Sequence, residues 1–175
     1  PDSPGIMYVM LHGIPARRVD EAASFLKPIQ ASRERRIARM TGELNRLLPD
    51  FGLPELDFAH DVRSISRADA GGTITERHLL FALSSRILAA AGRGPRLPAW
   101  LRERLGLQLP TRLAALLAEP MNPFLAYDLL GVLKSSFLGR IFIQPDAAEC
   151  VPVADVVRFG ASVGAIPCYG YLGDV

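Results

Sequence analysis

The chain has 175 residues, of which 49% are hydrophobic and 22% charged, and its net charge is +2. That length suits one domain with a substantial core and falls short of a complete (β/α)8 barrel, while the apolar fraction excludes an intrinsically disordered chain. Two cysteines, Cys150 and Cys168, exclude a disulfide framework and a four-cysteine zinc site. Three histidines leave any histidine-rich metal centre thin or shared.

Of the 20 basic residues only Lys27 and Lys134 are lysines, leaving 18 arginines. Their forked guanidinium groups grip carboxylates and phosphates bidentately. They form no long basic run, so the signal for nucleic-acid binding is weak. No stretch approaches 18 apolar residues, so no transmembrane helix is expected. A cytoplasmic protein with reduced thiols is the expectation. Pro1-Asp2-Ser3-Pro4-Gly5 has neither the basic start of a signal peptide nor an initiator methionine, and both ends read as cut.

In chain order, the apolar run from Ile6 to Leu11, closed by Gly13 and Pro15, predicts a buried strand. Asp20 to Leu48 is helical, with Pro28 expected to divide it into two segments. Ile37, Met40, Leu44, Leu47 and Leu48 form its apolar stripe. Arg33, Arg36 and Arg39 share roughly one face, which reads as a solvated surface partly neutralised by Glu34 and Glu43. Pro49 to Gly72 is irregular. A helix then starts at Thr73 and Glu76, which have capping-box spacing, and buries Ile74, Leu80, Leu83, Ile87 and Ala91. After the Arg93–Pro98 linker come three shorter helices, near Pro98–Leu105, Pro110–Glu119 and Pro123–Leu138, each with proline near its start. Arg140–Gln144 reads as a strand, Val153–Gly164 as a helix and Ala165–Leu172 as another strand. That order predicts a βαβ unit with parallel strands and hence an α/β fold.

Chemistry-bearing residues are few. His78 lies one turn into a helix, after Thr73, Thr75 and Arg77, where free N–H groups and the helix dipole favour an anion. It is either part of a phosphate or carboxylate pocket or a histidine packed at a helix start. His12 and His60 sit in no metal-ligand spacing and read as structural or exposed. Tyr171 and Asp174 are of interest by position, at the end of the last strand. Cys150 and Cys168 read as buried hydrophobes rather than nucleophiles.

Three segments together resemble the PHP (polymerase and histidinol phosphatase) superfamily. Tyr8-Val9-Met10-Leu11-His12-Gly13-Ile14, followed by the helix bearing Arg33, Arg36, Met40 and Leu44, is similar to the family's His-hydrophobic-Leu-Gly strand and the helix after it. Thr75-Glu76-Arg77-His78-Leu79-Leu80-Phe81-Ala82-Leu83 is similar to its Arg-x-His segment. Gly164-Ala165-Ile166-Pro167-Cys168-Tyr169-Gly170-Tyr171 is similar to its run ending in Ala-His-Pro. The resemblance implies part of a distorted (β/α)7 barrel over residues 1–175, with a helix-rich insertion at about 95–138. It also implies hydrolysis of a small phosphorylated substrate by water activated on divalent metals (Zn, Mn or Fe). Arg33, Arg36, Arg77 and His78 would line the phosphate side, and Asp174 would sit near the reacting centre. Tyr8 and Tyr171 stand at family metal-binding histidine positions, and neutral tyrosine is a poor ligand beside imidazole or carboxylate. A divergent metal-dependent phosphoesterase is therefore the first expectation. A degenerate relative that binds a phosphorylated or anionic metabolite is the alternative. A regulatory interaction domain, with the helical insertion offering an apolar surface, is a third.

Overall fold

The computed structural model describes residues 7–170. They form six α-helices and a sheet of two antiparallel strands. The fold is mostly helical, and the expected parallel α/β architecture of a (β/α)7 barrel is not what these residues adopt. They divide into two compact units: residues 7–33 with 144–170, and Glu34–Ile143.

In the first unit, β1 (Val9–His12) pairs with β2 (Ile166–Tyr169), Val9 opposite Tyr169 and His12 opposite Ile166. Both apolar runs are strands, but neither is buried as was expected of the first, and they pair with each other rather than with Arg140–Gln144. Pro167, opposite Leu11, has no N–H to give the ladder. Helix α6 (Val153–Ser162) packs on this two-stranded sheet through Gly160, where an added Cβ would lie 2.7 Å from Leu11 Cδ2. Phe159 stacks on Phe25 of the first helix with ring centroids 4.1 Å apart, and Val163 and Ala165 are buried behind them. Arg18 closes the end of α6 by donating to the Ser162 carbonyl at 2.9 Å.

Helix α1 (Val19–Phe51) runs unbroken through Pro28, which was expected to divide it. Proline forfeits its own N–H and leaves the carbonyl four residues earlier without a donor. Ser24 and Pro28 are both exposed, so water can serve that carbonyl.

The Glu34–Ile143 unit holds the larger core. Ile37, Met40, Leu44 and Leu48 of α1 are fully buried, as their spacing predicted. They pack with Leu80, Leu83 and Ile87 of α2 (Glu76–Ala91), and with α3 (Arg96–Leu105), α4 (Thr111–Ala118) and α5 (Leu125–Ser136). The expected insertion, residues 95–138, contributes Leu101, Leu117, Leu129 and Leu133 to this same core. Its apolar residues also include exposed ones: Met121, Phe124 and Tyr127 are 83%, 65% and 64% accessible.

Arg140–Gln144 is not a strand. A 3-10 turn covers Leu138–Arg140, and no ladder follows it. Ile141 is instead buried in the helical core, while the Ile143 carbonyl accepts from the Arg36 side chain at 3.2 Å. A tertiary contact has thus taken the backbone group that a βαβ unit would have used for pairing. No helix among the described residues is long and apolar enough to cross a membrane.

Candidate functional site

The start of α2 gathers three of the four residues expected to hold a phosphate. Its N-cap is Thr75, in extended conformation (φ −136°, ψ 168°), rather than Thr73. The partner three residues on is His78, not glutamate. The Thr75 backbone N–H donates to His78 Nδ1 at 3.0 Å, and the Thr75 hydroxyl lies 3.2 Å from the same nitrogen. Because a backbone N–H only donates, Nδ1 is the acceptor and the ring proton of this neutral imidazole sits on Nε2. Of the two expectations for His78, the histidine packed at a helix start is the one observed. It packs at a helix start through one nitrogen and keeps a donor on the other.

Glu76, displaced from the capping role, is held by Arg36. The Arg36 Nη1 lies 2.7 Å from Glu76 Oε1, and the arginine is 7% exposed. The same guanidinium stands 5.9 Å from the Phe142 ring centroid and contacts Met40 Sδ at 3.5 Å. The expected solvated arginine face is thus overturned at Arg36, which joins α1, the start of α2 and the 141–143 segment. Its charge is matched by a carboxylate and is not open to a ligand in this arrangement. What it does for an anion is indirect: it neutralises Glu76, which would otherwise repel one. Arg77, the next residue, is exposed and has no ion-pair partner among the described residues. Arg77, the Nε2–H of His78 and the positive end of the dipole of a 16-residue helix thus all belong to the first turn of α2.

The other expected residues fall elsewhere. Arg33 belongs to the first unit, where its Nε donates to the buried carboxylate of Glu149 at 2.7 Å. Tyr8, just before β1, is 66% exposed. Asp174 and Tyr171 lie outside the described residues. His12 is exposed at the end of β1, in line with expectation. Cys150 and Cys168 are free thiols and half-buried, less enclosed than expected.

Sequence reasoning missed a second cluster, also in the Glu34–Ile143 unit. Asp57 caps a π-helical turn (Phe58–Arg63), its Oδ1 accepting from the His60 N–H at 2.6 Å. Asp61 on that turn accepts from Arg86 of α2 at 2.8 Å and from the Asp57 N–H at 2.8 Å. The His60 ring lies 3.2 Å from its other oxygen. Partial burial pushes the Asp61 carboxyl up, but the Asp57 N–H, the His60 ring and the Arg86 guanidinium outweigh it and hold the pKa below the ordinary value. The Asp57-x-x-His60 spacing is a legible cap signal. The Asp61–Arg86 pair, 25 residues apart across an irregular segment, has no sequence signature.

The described residues show no donor set for the metal that the PHP resemblance implies. Among the described residues no three His, Cys, Asp or Glu side chains gather to hold an ion, so no catalytic step is assigned to one. No family model matches the chain, and neither does any curated protein or solved structure.

Proposed function

We propose that this protein binds a phosphorylated or otherwise anionic small molecule at the start of α2. The observation that carries this reading is the 2.7 Å Arg36–Glu76 ion pair. It fixes the helix start on which Arg77 and His78 stand and removes the charge that would oppose an anion. In the bound state the Arg77 guanidinium pairs with the anion, and the His78 Nε2–H and first-turn backbone N–H groups donate to its oxygens. The two free thiols support a reducing, cytoplasmic setting.

Calorimetric titration with phenyl phosphate and with inorganic phosphate tests the binding. Saturable binding of the ester that weakens as ionic strength rises is expected. Absence of saturable binding by either probe overturns the reading. Phosphate release from the same ester, with and without added Mn²⁺, separates hydrolysis from binding alone.

A further inference from the structure

A groove distinct from the α2 start opens between the π-helical turn and α2. It encloses about 380 Å³, within the range of about 300–1,000 Å³ usual for small-ligand sites. On α2 the small residues Ala82, Ser85 and Ala89 form its floor, and Leu56, Ile65 and Phe81 supply apolar walls. The Ile65 side chain is 43% exposed. At the polar end stands the Asp61–Arg86 pair, with His60 beside it.

The pair retains hydrogen-bonding capacity. Asp61 Oδ2 takes both the Arg86 and Asp57 donors, whereas Oδ1 has only the His60 ring at 3.2 Å. A carboxylate oxygen accepts two donors, so Oδ1 has room for another. Arg86 spends one Nη2 bond on Asp61, and its remaining N–H groups have no partner among the described residues. Asp61 and Arg86 are 16% and 35% exposed at the side chain, so both can be reached. A simple anion would meet Asp61, and a simple cation would meet Arg86. A ligand carrying both charges on groups attached to one carbon, in the opposite order, satisfies both.

We infer that the groove binds a free α-amino acid with an apolar side chain: its ammonium on Asp61, its carboxylate on Arg86, and its side chain against Ile65 and Phe81. The ligand's two charges lie alongside the Asp61–Arg86 pair in the opposite order, so removal of either ligand charge leaves one protein group without its added counterpart.

The test titrates the unmodified chain with L-phenylalanine, L-phenylalaninamide, N-acetyl-L-phenylalanine and glycine, followed by amide NMR shifts of residues 56–65 and 81–89. L-Phenylalanine is expected to saturate, with each of the other three weaker by about tenfold or more. Equal binding of all four, binding led by either singly charged derivative, or no saturable shift would overturn the inference. Asp61→Asn is expected to erase the discrimination against the N-acetyl compound, and Arg86→Gln that against the amide. If either variant fails to fold, the four-ligand comparison on the unmodified chain decides the question alone. His78→Glu leaves this binding unchanged, so its outcome is independent of the anion site at the α2 start.

Discussion

The Thr75 backbone N–H meets His78 Nδ1 at 3.0 Å, and this one bond assigns both ring nitrogens. A glutamate at the same position accepts the same N–H in the usual capping box. His78→Glu therefore preserves the helix start, and urea denaturation should show stability within about 0.5 kcal/mol of the unmodified chain. His78→Ala removes the acceptor and should cost about 1 kcal/mol. A loss of several kcal/mol in His78→Glu would mean that the imidazole is held by packing rather than by its capping bond.

Arg36 should be the most costly of the four expected anion residues to remove. It is buried, and Arg36→Ala strands the Glu76 carboxylate while freeing the Ile143 carbonyl. Truncating one partner of a buried pair commonly costs about 3–5 kcal/mol, and the 26% exposure of Glu76 lowers the expectation to about 2–3 kcal/mol. Arg77→Ala, at an exposed site, should change stability by less than about 0.5 kcal/mol. Denaturant midpoints of the two variants decide this, and equal effects would contradict the clamp role of Arg36.

The acid limb of stability should carry a contribution from Asp61. Its folded-state pKa lies below the ordinary 3.8, so the unfolded chain takes up its proton first as pH falls. The stabilisation is fully present above the ordinary value and is lost as pH drops through the folded one. In Asp61→Asn the dependence of stability on pH below about pH 4 should be shallower. An unchanged slope would show that the Arg86 and Asp57 bonds do not hold the carboxylate in solution.

Two glycines should respond to alanine in opposite directions. Gly42 lies exposed inside α1 with nothing within 4 Å of an added Cβ, and Gly42→Ala should stabilise by about 0.5–1 kcal/mol. At Gly72 the same methyl would sit 2.6 Å from the Ser66 carbonyl oxygen and 2.8 Å from that of Arg67. Arg67 is itself left-handed (φ 55°), and its carbonyl accepts the Gly72 N–H at 2.9 Å. Since backbone must move, Gly72→Ala should cost about 1–3 kcal/mol. Thermal melts of the two variants shifting in the same direction would contradict this account of the 66–72 turn.

Local pattern carried most of the helices and little of the topology. The stripe from Ile37 to Leu48 and the Leu80–Leu83–Ile87 repeat are buried as their period requires. The strand expected at Arg140–Gln144 fails because its apolar residues suit a helical core equally well, and periodicity cannot tell the two apart in a short run. Partner choice between strands is tertiary, so the Val9–Tyr169 pairing was beyond reach of spacing. The place of Arg77–His78 in the first turn of α2 was legible from the helix-start pattern around it. Arg36 was misread because its partner, Glu76, lies 40 residues away, and Glu76 had been given to the cap that His78 occupies.

The most direct measurement of the central claim is the affinity of His78→Glu for phenyl phosphate, compared with that of the unmodified chain at equal stability. The anion site described here predicts a loss of about tenfold or more, because a donor is replaced by a negative charge beside the ligand. An unchanged dissociation constant in a fully folded variant would contradict it.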